Sequence, residues 1–154
     1  GTFVSQRVEE IDDFGFSALE QVRGQLRDLF ELRSIFEPQA AALACRRATQ
    51  DELTDILRRG REVEDCIQSG TDRTQADRAF HAANEFMVRL LPVIDQAVET
   101  AVASGARREE LAQATLRDHA LLMEFFEKRD AEGARHAMAI HMRHAMDEMG
   151  LKPQ

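Results

Sequence analysis

The sequence predicts an all-α protein, an antiparallel bundle of six or seven helices. Three observations carry that expectation. Only three prolines and eight glycines interrupt 154 residues, and the abundant Ala, Leu, Glu and Arg are strong helix formers. Apolar residues recur at three- and four-residue spacing along most of the chain. The stop and cap signals between those stretches lie close together, so the connections are short and neighbouring helices run antiparallel.

The elements follow in order. Gly1-Thr2-Phe3-Val4-Ser5 lacks helical spacing and reads as a short strand, and the polar, acidic run from Gln6 to Asp13 reads as a linker. Helix begins near Phe16 to Ser17, where Ser17 and Glu20 form a capping box. Its apolar row is Leu26, Leu29, Phe30, Phe36 and Ala40, with Arg33 in the same row. Pro38 should kink this helix or open a new one, because it lacks an N–H and restricts Glu37. Thr49 and Glu52 cap the next helix, which stops at Ser69-Gly70. A helix from about Thr71 to Leu91 ends at Pro92, and a short one spans Val93 to Ala103. Two longer helices close the chain. One runs from about Arg107 to Arg129; the other starts at the N-cap Asp130 and runs to Met149, where Gly150 and Pro153 stop it. Met138, Met142, Met146 and Met149, at helical spacing, read as core or a dimer face.

Charge and cysteine usage narrow the function. Twenty basic against 28 acidic residues give a net charge of −8, and an acidic domain repels the phosphate backbone of nucleic acid. If DNA matters, another domain brings the positive charge. Cys45 and Cys66 form no C-x-x-C pair and read as core thiols in a reducing cytoplasm. No apolar run reaches membrane-spanning length, and no signal-peptide pattern opens the chain. The expected location is cytoplasmic.

The chemistry concentrates in three histidines and one acid. In Asp77-Arg78-Ala79-Phe80-His81 the carboxylate and the imidazole are four apart, on one helical face. His119 and His141, 22 residues apart, each sit on the apolar face of a later helix: Thr115, Met123 and Phe126 surround the first, Ala137, Met138 and Ala145 the second. An inward imidazole needs partners for its nitrogens. Several such groups together call for something that satisfies them jointly, and mixed N and O ligands suit a divalent Zn, Ni, Mn or Co. His144, at the edge of the same face, is a rival ligand; His136 should face solvent. Arg33, a guanidinium on an apolar row, must find an anion, whether an internal acid or a ligand carboxylate. No Gly-rich phosphate loop, G-x-S-x-G elbow or H-E-x-x-H motif is present.

Three stretches together carry a family resemblance: LRDLFELRSIFEPQAAALACRRATQDEL from Leu26 to Leu53, DRAFH from Asp77 to His81, and RDHALLMEFFEKRDAEGARHAMAIH from Arg117 to His141. They resemble the C-terminal effector-binding (FCD) domain of GntR-superfamily transcription regulators of the FadR-like subgroup. The family implies residues 16–154 as an FCD-like effector-binding and dimerisation domain. Residues 1–15 would be the end of a winged helix-turn-helix wing plus linker. Its motif positions fall on Asp77, His81, His119 and His141 as ligands to a divalent metal, with Zn, Ni or Mn the favoured ions. The resemblance further implies a small organic acid bound beside or on the metal, with Arg33 a candidate anchor for its carboxylate; Asn84, one turn after His81, is a polar contact in place of the family's Asn-Pro pair. Leu91 stands before Pro92 where the family usually has Asn.

The reading is therefore a non-enzyme: a ligand-sensing, homodimeric domain that changes DNA binding by an N-terminal domain. The alternative is a helical metal-dependent hydrolase or lyase, for which Glu85, one turn from His81, is the best available general base.

Overall fold

A computed structural model of the chain describes residues 16–83 and 108–151. Among them are five helices and no strand: α1 Phe16–Arg47, α2 Gln50–Ser69, α3 Thr74–His81, α4 Arg108–Glu127 and α5 Ala131–Glu148. The all-α expectation holds for these residues. The strand expected at Gly1 to Val4, the linker and the helix expected at Val93 to Ala103 lie outside them.

Two boundaries are left open or placed elsewhere by the sequence. Of the two outcomes expected at Pro38, a kink or a new helix, no new helix begins, and Pro38 lies inside α1. A proline in a helix interior costs about 3 kcal/mol. Burial on both sides of it offsets that cost: Leu26 and Phe30 before it and Ala40, Ala41 and Ala44 after it are all in the core, and a buried Phe alone contributes about 1.5–3 kcal/mol. The second boundary is that of α3, which ends at His81, well before Pro92. The Ala83 N–H turns back to the Phe80 carbonyl at 3.2 Å. The Ala79 carbonyl, which a continuing helix would offer to Ala83, instead accepts from Arg59 Nη1 at 3.3 Å.

The remaining ends are closed as their residues dictate. Thr49 and Glu52 make the expected capping box, and Gly70, at φ 67°, supplies the left-handed residue that ends α2. The Asp130 side chain accepts from the Gly133 N–H at the start of α5.

α5 is the central helix, packed on both α1 and α4, while α2 packs on α3 and α4. Arg23 near the start of α1 reaches the Gly150 carbonyl, and Arg129 in the α4–α5 turn reaches the Ala48 carbonyl just past the end of α1. α1 and α5 are therefore antiparallel, as are α4 and α5 across their tight turn. Two apolar clusters result. The larger includes Ala41, Cys45, Ile56, Val63, Phe80, Leu122, Phe126, Met138 and Met142; the smaller is Leu26, Phe30, Ala145, Met146 and Leu151. Met138, Met142 and Met146 are core residues, as their spacing implied. Along α1 and α5, Arg33, Glu37 and His141 fall between the clusters, so a buried polar layer crosses the bundle.

Candidate metal centre

Each side chain of that layer is set by its helix. Asp77 and His81 are one turn apart on α3, His119 is on α4 and His141 on α5. His119 Nε2 and His141 Nε2 are 3.2 Å apart. Asp77 Oδ1 is 3.5 Å from His81 Nε2 and 3.7 Å from His119 Nε2. The three imidazoles offer nitrogens that all lie within 4.8 Å of one another. Donor atoms ~2.0–2.2 Å from one cation sit roughly 3–3.6 Å apart; the 3.2 and 3.5 Å separations fall in that range, and the others need the rings to draw in towards the ion.

Satisfaction of the polar atoms gives the same fit. Asp77 Oδ1 and His81 Nε2 are buried with no hydrogen-bond partner, and buried polar groups rarely remain so. Both face the other two imidazoles. A divalent cation at this point would satisfy them together. It would hold three nitrogens and one oxygen, a donor set that suits Zn, Ni or Mn.

Behind the donors stands a second set of acids that the sequence reading did not identify. His81 Nδ1 donates to Glu37 Oε2 at 2.5 Å, and Glu37 Oε1 accepts from Arg33 Nε at 2.5 Å. His141 Nδ1 lies 3.4 Å from Asp118 Oδ2, and that carboxylate also accepts from His144 Nδ1 at 2.9 Å. Carboxylates in this position fix which ring nitrogen faces a metal. His119 is the exception, since its Nδ1 is buried without a partner; the Phe80 ring packs on it with centroids 4.6 Å apart. His144 keeps 44% side-chain exposure and sits on Asp118, outside the three-histidine cluster. His136 faces solvent as expected.

These contacts set the charges. Burial pushes Glu37 upward, but Arg33 and then His81 outweigh it and hold its pKa at about 2. Burial disfavours the His81 imidazolium, yet Glu37 and Asp77 raise its pKa to about 9. Asp77, in spite of burial, is held far below the carboxylate range by His81 beside it, then by His119 and Arg73. Burial lowers His119, reinforced by His141. It lowers His141 as well, against the hydrogen bond to Asp118. Two of the three imidazoles are therefore already in the neutral form that a metal requires, and His81 exchanges one proton for it.

Arg33, read as an anchor for a ligand carboxylate, has an internal partner in Glu37, and its guanidinium lies 4.8 Å over the Phe30 ring. It still lines a cavity of about 570 Å³ with Asp77, His141, Arg73, Thr115 and Cys66, a volume typical of small-molecule sites. Asn84 and Glu85 lie outside the described residues. Glu37 was legible as the i+4 neighbour of Arg33, a spacing that favours an ion pair. Asp118 had no such signal, because its partners come from another helix.

Comparison with known proteins gives one consistent answer. The FCD domain family matches residues 28–144. The chain is 23% identical over 147 residues to an uncharacterized HTH-type transcriptional regulator, YdhC, of Bacillus subtilis (strain 168), covering 90% of this chain and 66% of that protein. A solved structure of a Streptococcus agalactiae GntR is similar at a TM-score of 0.70 and 26% identity, over 88% of this chain and 65% of that one. The chain thus spans slightly less than two thirds of the length of these relatives. Its match to the family over most of its own length, with an all-helical fold and a buried three-histidine cluster, establishes that it belongs to the FCD domain family of GntR-type transcription regulators.

Proposed function

We propose that this chain is the metal-dependent, acid-sensing domain of a FadR-like regulator, with Asp77, His81, His119 and His141 as the metal ligands. The observation that carries the reading is the pair of buried, partnerless atoms, Asp77 Oδ1 and His81 Nε2, beside the Nε2 atoms of His119 and His141. When bound, a divalent ion supplies a Lewis-acidic position for a carboxylate oxygen of the effector. Glu37 and Asp118 orient His81 and His141. Arg33, already held by Glu37, offers hydrogen bonds from the cavity wall.

The cavity is lined by residues of all five helices, including Phe30 of α1, Ile67 of α2, Asp77 of α3, Thr115 of α4 and His141 of α5. An acid bound there bridges them and favours one packing of the bundle over another. In the whole regulator, a homodimer in the cytoplasm, that shift would alter operator binding by an N-terminal winged helix-turn-helix domain. Similarity to a protein named as a transcriptional regulator favours this reading over a hydrolase or lyase.

Elemental analysis of the chain purified without chelator, followed by calorimetric titration with small organic acids, tests it. About one divalent ion per chain is expected, with acid binding that disappears on chelation. Acid binding that is equally strong after metal removal would overturn the mechanism. A metal-free, acid-inert chain would reduce the site to a dimerisation bundle with hydrogen-bonded histidines.

A further inference from the structure

The cavity contains one polar group that the metal centre leaves unexplained. Arg73, the residue before α3, lines the cavity, and its Nη1 is buried without a hydrogen-bond partner. Its side chain makes no capping bond to α3. The acids nearby have other engagements. Asp72 Oδ1 accepts from the Thr74 N–H and hydroxyl at 2.9 and 2.6 Å. Glu109 accepts from Gln113 at 3.1 Å, and Asp77 faces the histidine nitrogens.

The contrast with Arg33 is informative. Both guanidiniums line the same cavity, but the charge of Arg33 is met by Glu37 at 2.5 Å, while Arg73 has no ion pair within 4.0 Å among the described residues. A guanidinium N–H turned inward without an acceptor is matched to a carboxylate in geometry and charge. With a divalent ion among the histidines, of whose charge Asp77 cancels only one unit, the cavity holds two cationic positions, the ion and Arg73 Nη1, and the lining acids Asp72 and Glu109 form no ion pair with Arg73 among the described residues. A monocarboxylate can meet only one of them.

We propose that the effector is a dianion, an aliphatic dicarboxylate or an acid of the same charge pattern, and that Arg73 receives its second acidic group. The first carboxylate lies at the histidine end of the cavity. This assignment rests on the metal-dependent reading above and adds the class of ligand to it.

The test is calorimetric titration of the zinc-loaded 154-residue chain with succinate against butyrate and with glutarate against valerate, alongside Arg73→Gln and Arg73→Lys. The zinc affinity of each protein is measured separately by competition with a chelator, and folding by thermal melting. In the wild type each dicarboxylate should bind about tenfold or more tighter than its monocarboxylate. Arg73→Gln should abolish that preference in a protein that still melts cooperatively and still binds zinc, and Arg73→Lys should restore part of it. A chain that binds zinc and acids with no dicarboxylate preference overturns the role of Arg73 and leaves the metal reading intact. Equal losses for both acid series in a folded Arg73→Gln do the same. A wild type that binds no zinc overturns the underlying reading; a dicarboxylate preference that still depends on Arg73 would then sustain the anion site alone.

Discussion

Glu37 is the residue on which the polar layer turns, because it accepts from both Arg33 and His81 at full burial. Glu37→Gln leaves a buried guanidinium with a neutral partner. Loss of one member of a buried pair typically costs about 3–5 kcal/mol, so urea denaturation of the metal-free variant should show a loss of that order. The metal affinity, read by chelator competition, should fall about 10–100-fold as His81 loses its orienting acid. His81 gives a prediction with a definite sign. Its folded pKa is raised from 6.5 to about 9, so the stability it contributes is complete below pH 6.5 and is lost as pH rises towards 9. In metal-free protein, the stability difference between wild type and His81→Gln should shrink by about 3 kcal/mol across that window. For metal binding the same proton acts as a competitor. Affinity should rise about tenfold per pH unit below pH 9, and a flat profile would mean that His81 is not a ligand. The three histidines and Asp77 were legible because helical spacing turns each of them inward. Asp118 and Arg73 were not, since what surrounds each comes from other elements, whereas Glu37 was open to reading as the i+4 neighbour of Arg33.

Among the elements, α1 and α3 show where local rules gave way. Pro38 divides a helical pattern by its own chemistry, yet α1 continues because α5 covers the residues on either side of it. α3 stops early although its apolar stripe extends to Leu90, and at its end the Ala79 carbonyl accepts from Arg59 of α2. The caps followed local rules more faithfully, since Thr49, Gly70 and Asp130 act through neighbours in sequence. The first turn of α5 offers a test of packing against propensity. A Cβ on Gly133 would meet the Phe125 ring at 2.2 Å and Asp130 Oδ2 at 2.7 Å. Alanine is favoured over glycine in a helix by about 1 kcal/mol, but forcing a packed ring aside costs about 1–3 kcal/mol. Gly133→Ala should therefore lower the melting temperature, and an increase would mean that the ring moves freely.

For the whole molecule, the polar layer joins helices that the two apolar clusters hold at their ends. A cation there binds only the folded arrangement, because its donors come from three helices. At a free metal concentration of about 100 times the Kd, that linkage adds about 2.7 kcal/mol, or roughly 5–10 °C in melting temperature for a domain of this size. Scanning calorimetry before and after chelation should show the difference in the wild type and not in His119→Ala. The net charge of −8 bears on the same scale, since it is consistent with a sensing unit that leaves DNA contact to other residues.

Helix content, cap positions and the four inward donor residues were determined by the sequence itself, because each depends on spacing within a single turn or two. The tertiary structure decided the rest. It carried α1 through Pro38, ended α3 at His81, set Glu37 behind His81 and Asp118 behind His141, and left Arg73 Nη1 without a partner beside the cavity. Each of these depends on what another helix brings within about 3 Å, the hydrogen-bonding range, a distance that no periodicity along one chain segment encodes.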